Sequence, residues 1–596
     1  MREQIADRIE KLQKSMRARD IDAYIIPTAD YHQSEYVGDH FKSREFMTGF
    51  TGSAGTAVVT MREACLWTDG RYFIQAEEQL SGSGIILQKM GEPGVPDICE
   101  YLEEKLPEDA ILGFDGRTIG YAQGMKYEEI VLKKHGSIAY QEDLVDNIWE
   151  MRPEISKEPA FLLEEKYAGE STETKLKRLR KVMKEKGTNL HILATLDDID
   201  WLLNIRGKDV TYFPLLLSYA MVSMNWVDLY VDETKLDSGL KKYLEDNKVI
   251  IHPYDDIYEA VKEISKEENV LIDPLGTNYA MVKNISSDVN IINGENPTIL
   301  MKSMKNATEI KNIRNAHIKD GVACTKFMYW LKMNIGKIKI TEISASEKLE
   351  EFRRQQKLYM QPSFDPICAY KEHAAIVHYS ATAESASELR KSGMVLMDTG
   401  ANYYDGSTDI TRTMALGPVS ELEKEHFTLV AMANLRLADA KFLHGCTGAN
   451  LDYAAREIFW KRGLDFKHGT GHGVGYLGTI HEGPIAFRWR IGEHNQMLED
   501  GMIITDEPGL YIEGSHGIRT ENELLVCESE ENEYGQFMHL EPITFVPIDL
   551  ELIKPEIMTE DDRKLLNQYH KQVFEKVSPY LDEKECRWLE KYTREI

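Results

Sequence analysis

Residues 468–475 read His468-Gly469-Thr470-Gly471-His472-Gly473-Val474-Gly475. Four glycines in eight residues exclude a stable helix, because each costs about 1 kcal/mol relative to alanine in a helix interior. The helical His-Glu-x-x-His zinc motif is excluded with it. In an extended chain His468 and His472 point to the same side, and the glycines between them let another group come close to the backbone. His481-Glu482-Gly483-Pro484 begins nine residues after His472.

Working outward, Met502-Ile503-Ile504-Thr505-Asp506-Glu507-Pro508-Gly509 is an apolar strand that stops at a carboxylate, and Glu521 follows Glu507 by fourteen residues within Gly517-Ile518-Arg519-Thr520-Glu521-Asn522. This run leads into Leu524-Leu525-Val526, so Glu521 is expected on a buried strand. On the N-terminal side, Val395-Leu396-Met397 ends in Asp398, and Asp409-Ile410-Thr411-Arg412-Thr413-Met414 alternates like a strand after the turn signal Asp405-Gly406-Ser407. Ten residues separate Asp398 from Asp409. That even number permits a hairpin in which the two carboxylates face each other, an arrangement that is destabilising unless a cation lies between them.

Four carboxylates and a glycine-embedded histidine on apolar strands are costly in a core unless something pairs them. A pair of divalent cations meets the requirement: their charge of +4 balances Asp398, Asp409, Glu507 and Glu521, with His472 neutral. Two such ions about 3.5–4 Å apart can hold a hydroxide near neutral pH. Oxygen-rich ligation with one imidazole favours Mn²⁺ first, with Co²⁺ or Zn²⁺ able to substitute.

At these residues the chain resembles the pita-bread metallopeptidases: methionine aminopeptidase, prolidase and aminopeptidase P. The resemblance is carried by five motifs in order over about residues 300–545: the aspartate pair, His468–His472, His481-Glu482-Gly483-Pro484, Asp506-Glu507-Pro508-Gly509 and Ile518-Arg519-Thr520-Glu521-Asn522. It implies that Asp398 chelates one metal, that Asp409 and Glu521 bridge both, and that His472 and Glu507 complete the other. It also matches His378 to a substrate-contacting histidine and His481 to the one that stabilises the tetrahedral intermediate. His468 and Tyr511 match residues on the proline side of the cleft, and Arg519 an arginine beside the bridging glutamate. The implied reaction is attack of a bridging hydroxide on the carbonyl preceding proline, with a metal and His481 stabilising the oxyanion. Glu507 or His378 then passes a proton to the leaving nitrogen.

The rest of the chain narrows the resemblance. Residues 9–28 place Ile9, Leu12 and Met16 at helical spacing before Ala23-Tyr24-Ile25-Ile26, and residues 176–195 repeat this pattern 167 positions later. Ala57-Val58-Val59 and Leu66-Trp67-Thr68-Asp69 recur at an offset of 163 in Ala220-Met221-Val222 and Leu229-Tyr230-Val231-Asp232. A helix followed by short β-rich runs, twice over, reads as two similar α/β domains. The expected organisation is α/β and α+β multidomain. Two N-terminal α/β domains (residues 1–155 and 156–300) precede a pita-bread catalytic domain (301–545) and a helical C-terminal extension (546–596). A proline- and charge-punctuated linker is expected over residues 152–168. In the extension, Thr559 and Asp562 form a capping pair, and Leu565, Leu566, Tyr569, Val573 and Phe574 form a stripe suited to core packing or a subunit contact.

The duplicated N-terminal unit plus this extension is similar to the three-domain, cytosolic type of aminopeptidase P, which removes an N-terminal residue when proline is second. That resemblance implies peptide substrates with proline second and a homodimer. Two alternatives remain: a dipeptidase of prolidase type, and a metal-free member of the fold that binds other proteins.

Composition sets the outer limits. The chain has 596 residues, enough for roughly three to four domains, and 71 Lys plus Arg against 99 Asp plus Glu give a net charge of −28, which repels phosphate backbones. The basic run 175–181 reads as the solvated face of an amphipathic helix. Seven cysteines without CxxC spacing argue against a disulfide framework or a thiolate zinc site and for a reducing compartment. The N-terminus lacks the apolar core of a secretory signal, and the longest nearly apolar stretch, about Tyr212 to Met224, is too short to span a bilayer. The expected location is cytoplasmic, without nucleic-acid or membrane partners.

Overall fold

The duplicated sequence pattern produces the same sheet twice. In the first, the strand order is Ile85–Lys89, Ala64–Thr68, Thr56–Thr60, Ala23–Pro27, Ile111–Phe114, Ser137–Ala139. In the second it is Val249–His252, Val227–Val231, Ser218–Ser223, Leu190–Leu193, Asn269–Ile272, Asn290–Asn293. The senses of pairing match strand for strand: the central pairs are antiparallel, the flanking ones parallel. The structure, a computed structural model, describes residues 2–490, 492 and 495–596.

The helices Arg2–Arg17 and Thr172–Glu185 precede the first strand of each sheet. The second buries its expected stripe, Leu176, Leu179 and Met183, and the first buries Leu12 and Met16 of its expected stripe together with Ile5, while Ile9 is only half-buried against the same cluster. The basic run departs from its expected role at one position. Lys177 and Lys181 face solvent, but Lys175 is buried, its ammonium donating to the Trp201 carbonyl (2.8 Å) and Asn204 Oδ1 (2.7 Å). A buried cation requires such acceptors.

The two sheets belong to one compact unit, Met1–Leu163 with Glu170–Thr298. Their junction is polar and buried: His32 bonds the Ala194 carbonyl (2.7 Å) and the Tyr254 hydroxyl (2.6 Å), and Asn278 donates to the Tyr31 carbonyl (2.9 Å). The connecting segment is also more ordered than its prolines and charges suggest, since Phe161–Leu162 pairs with Ile205–Arg206 and Arg152 binds Asp143 at 2.6 Å.

The second unit comprises Glu164–Gly169 and Ile299–Ile596. Its long helix Ala307–Asn334 starts at an Asn306–Glu309 capping box. A six-stranded sheet runs in the order Lys441–Leu443, Gly535–Pro542, Asn522–Asn532, Ile503–Asp506, Gly471–Gly473, Glu482–Phe487. A three-stranded sheet runs Ile367–Tyr370, Met394–Thr399, Ile410–Ala415. Together with the helices Ala307–Asn334, Glu342–Arg354, Glu421–Ala438 and Gly448–Trp460 these sheets form the expected pita-bread domain. Its core is continuous with the C-terminal extension: Leu566, Tyr569 and Val573 of the helix Glu560–Val577 are buried in it, and Leu565 and Phe574 pack at its edge. Thr559 and Asp562 cap this helix reciprocally. The stripe therefore packs inward.

One member of that helix sets an acid limit on the fold. His570 is fully buried, its Nε2 accepting from the Ile548 N–H (3.1 Å), and burial, reinforced by the Arg412 charge, pushes its imidazole down to about 3. The unfolded chain protonates this histidine near pH 6.5, so the folded state binds fewer protons over the interval below it. Stability is complete above about pH 6.5 and falls as pH drops toward 3, with a slope of up to about 1.4 kcal/mol per pH unit. His570→Gln keeps an acceptor without a titrating ring, and denaturant unfolding at pH 7 and pH 4.5 should show a smaller acid loss for it than for the native chain.

Candidate metal centre

Of the five expected ligands, Asp409, Glu507 and Glu521 sit where a strand begins, ends or breaks, whereas Asp398 and His472 lie within strands. Asp398 lies in Met394–Thr399, a strand buried along its whole length, opposite Thr411 in the antiparallel ladder. The register differs from the expected face-to-face pair, because Asp409 falls two residues away, on the same face and diagonal to Asp398. The cause lies in the ten intervening residues. They form a separate hairpin, Ala401–Tyr403 with Gly406–Ser407, and at Gly400 a Cβ would sit 1.9 Å from the Thr408 carbonyl oxygen. The diagonal placement separates two like charges that direct pairing would force together.

His472 occupies the short strand Gly471–Gly473, whose glycines are required by packing. A Cβ at Gly471 would lie 1.8 Å from the Thr505 carbonyl oxygen, and one at Gly473 2.2 Å from that of Glu482. Nδ1 of His472 lies 2.8 Å from the Gly473 carbonyl, which places the proton there and leaves Nε2 as a lone-pair donor. Nε2 lies 3.4 Å from Asp409 Oδ2 and 3.8 Å from Glu507 Oε1.

Glu507 follows the strand Ile503–Asp506, its N–H donating to the Thr470 carbonyl (2.8 Å). Glu521 is not on a strand, as the sequence pattern suggested, but at the break between His516–Arg519 and Asn522–Asn532. There its N–H bonds the Thr411 carbonyl (3.1 Å) and its Oε2 accepts from the Thr411 hydroxyl (2.6 Å). The break frees its side chain from strand alternation. One ligand atom each from Asp409, His472 and Glu521 lies within 4.8 Å of the others.

Three of the remaining expected residues, Arg519, Tyr511 and His468, form a hydrogen-bonded chain leading from Asp398. Arg519 Nη2 bonds Asp398 Oδ2 (2.5 Å) and Nη1 bonds the Tyr511 hydroxyl (2.7 Å), which in turn lies 2.9 Å from His468 Nε2. His468 Nδ1 is 4.0 Å from Glu507 Oε2. The His481 ring stands at 70° to that of His472, centroids 4.3 Å apart. His378, half-buried, lies on the segment leaving the 3₁₀ helix Lys371–Ala375; the helix itself packs on the Arg519 strand so closely that a Cβ at Gly517 would meet the Ala374 carbonyl oxygen at 1.7 Å.

The electrostatics of the bare protein are unfavourable. Burial, followed by the charges of Asp398 and Glu523, holds the Asp409 carboxyl well above the usual range. Burial, then Asp409, Glu507 and Asp398, does the same to Glu521. Glu507 is raised chiefly by burial, against the attraction of His472 and Arg519. Tyr511 is pushed up to about 12 by burial, and Arg519 is held firmly charged by Tyr511 and the carboxylates despite its burial. Asp398 Oδ1 is buried without a hydrogen-bond partner. An orphaned carboxylate oxygen, four clustered carboxylates and one oriented imidazole fit a pair of hard or borderline divalent cations. His472→Ala should lower the bound divalent metal per chain, read by elemental analysis of the purified protein, with the fold retained.

Glu523 is a contributor that motif reading missed. Its Oε1 accepts the Asp409 N–H (2.7 Å) and its Oε2 stands 3.0 Å from buried His317 Nε2. The available signal was a second glutamate entering an apolar strand, in Glu521-Asn522-Glu523-Leu524-Leu525.

Carboxylates and an imidazole converging in this fold define the class as a metallohydrolase. Residues 8–148 and 151–309 each match the Creatinase/Prolidase N-terminal domain, 311–528 the Metallopeptidase family M24, and 536–596 the C-terminal region of peptidase M24. The chain is 37% identical to a probable Xaa-Pro aminopeptidase P of Paracoccidioides brasiliensis, over 99% of each chain. It is likewise 37% identical to Xaa-Pro aminopeptidase 1 of Dictyostelium discoideum, over 98% of this chain and 96% of the relative. The crystal structure of the X-prolyl aminopeptidase of Caenorhabditis elegans, described as a cytosolic enzyme with a di-nuclear active site, superposes with a TM-score of 0.95 at 33% identity, covering 99% of this chain and 100% of the other. The chain belongs to the Xaa-Pro aminopeptidases of metallopeptidase family M24.

Proposed function

We propose that Asp398, Asp409, His472, Glu507 and Glu521 hold two divalent cations, Mn²⁺ by preference, at which the bond between an N-terminal residue and a second-position proline is hydrolysed. The observation that carries this is the convergence of Asp409, His472 and Glu521, delivered by three separate segments, within 4.8 Å. Bound there, the cations supply a deprotonated water at neutral pH and polarise the scissile carbonyl. Asp409 and Glu521 would be the ligands shared by both ions, Asp398 would hold one, and His472 and Glu507 would hold the other.

The surrounding residues divide the remaining work. His481, beside His472, donates to the oxyanion that develops on the carbonyl. Arg519 neutralises Asp398 and, through Tyr511, fixes His468 on the side that receives proline. Glu507 or His378 passes the proton to the departing nitrogen. Proline presents no amide N–H, so recognition there rests on shape and on rings such as His468 and Tyr511.

Among the described residues no helix is long and apolar enough to cross a membrane. The described nematode neighbour supports a cytoplasmic location. A homodimer is the expected assembly. The test compares hydrolysis of a Xaa-Pro-Xaa tripeptide and a Xaa-Pro dipeptide by the metal-depleted chain with and without added Mn²⁺. Metal-dependent turnover of the tripeptide is the expected result. Cleavage confined to the dipeptide would favour a prolidase-type activity, and no turnover with no metal uptake a binding protein on this fold.

A further inference from the structure

The metal centre continues, through hydrogen bonds, into the C-terminal extension. Arg412, 4% exposed, sits three residues beyond Asp409 on the strand Ile410–Ala415. It makes six hydrogen bonds, and none of the acceptors is a carboxylate. Nη1 donates to the carbonyls of Thr411 (2.8 Å) and Glu521 (2.6 Å). Nε donates to the Val546 carbonyl (3.3 Å), and Nη2 to the same carbonyl (2.8 Å), to Asn522 Oδ1 (2.7 Å) and to the Tyr569 hydroxyl (2.7 Å).

The chain runs on in the other direction. Asn522, paired with Asp506 in the sheet, donates from Nδ2 to Asn434 Oδ1 (3.1 Å), and Asn434 donates to the Asp506 carbonyl (2.7 Å), one residue before Glu507. Tyr569, from the helix Glu560–Val577, is thus linked to the backbone that sets Glu521, to the strand that begins just after Asp409 and to the residue preceding Glu507. A buried guanidinium whose hydrogen-bond acceptors include no carboxylate is costly. Its planar fork fixes the directions of the groups that it bridges.

We propose that Tyr569 and Asn434 are positioning residues of the metal centre, acting through Arg412 and Asn522, so that the C-terminal helix is a working part of the site rather than an appended cover. The proposal rests on the metal assignment above. Groups that orient metal ligands without touching the ion are worth about 10- to 100-fold in metal affinity.

The test measures Mn²⁺ affinity of the full-length, metal-depleted protein by competition with a chelating indicator, together with thermal unfolding. Tyr569→Phe removes only the hydroxyl, and Asn434→Ala breaks the far end of the chain; each should weaken Mn²⁺ binding about 10-fold or more. Val573→Ala, fully buried on the same helix without a polar group, should lower the unfolding temperature and leave Mn²⁺ affinity unchanged. Native-like affinity in Tyr569→Phe and Asn434→Ala overturns the proposal. So does a loss in Val573→Ala equal to theirs, since general destabilisation would then explain all three. A native chain that takes up no Mn²⁺ would instead overturn the metal assignment itself.

Discussion

Glu521→Ala is expected to lower Xaa-Pro hydrolysis by about 10³-fold or more, equivalent to about 4 kcal/mol of barrier, and Asp409→Ala to do the same. Each replacement removes a ligand assigned to both cations. The fold should survive, because neither side chain is a net contributor to the bare core: both are buried carboxyls that burial and their neighbours drive toward the neutral form. The groups left behind are few: for Glu521 the Thr411 hydroxyl and the Asp409 carboxyl, and for Asp409 the Glu521 carboxyl and His472 Nε2, 3.4 Å from its Oδ2, whereas the Glu523 bond is made by the Asp409 backbone N–H and persists. Near-native turnover by a purified, folded Glu521→Ala chain would refute the assignment of Glu521 as a shared ligand.

The second large effect has opposite signs for activity and stability. Glu521→Gln should abolish hydrolysis and at the same time raise the unfolding temperature of the metal-free chain. The Glu521 carboxyl is raised well above its usual range by burial first, then by Asp409, Glu507 and Asp398. A carboxyl raised in this way binds its proton more readily folded than unfolded, so stability of the metal-free chain falls as pH climbs from the ordinary carboxylate range through the raised value. An amide of the same shape carries no such charge. The gain should be largest at neutral or alkaline pH and shrink in acid, and saturating Mn²⁺ should reverse it, since only the native site binds tightly. A Glu521→Gln chain less stable than native when both are metal-free would contradict the electrostatic account of the site.

Much of this architecture was legible because its causes are local. The glycines around His472 marked an extended chain, and close backbone approach by Thr505 and Glu482 is why they are there. The offsets of 167 and 163 between duplicated segments mapped onto strands in equivalent places of two identical sheet orders, because each apolar run needs the same neighbours to be buried. Asp398, Asp409, Glu507 and Glu521 stood out as charges on apolar strands, and three of those positions proved to be strand ends or breaks, which spacing alone does not reveal. The diagonal register of Asp398 and Asp409 depended on the hairpin folded between them. Arg412, Asn434 and Tyr569 were invisible for a different reason: each is an ordinary residue in its own segment. The partners of Asn434 lie more than 70 positions away in sequence, and those of Arg412, apart from the adjoining Thr411 carbonyl, more than 100. Lys175 likewise fitted a solvated stripe until Trp201 and Asn204 supplied its acceptors.

Anomalous diffraction from crystals of the full chain grown with Mn²⁺ addresses the metal centre without reference to activity. Two manganese peaks per chain are expected, about 3.5–4 Å apart, both contacted by Asp409 and Glu521, with Asp398 on one and His472 and Glu507 on the other. A single peak, or peaks away from these five side chains, would contradict it.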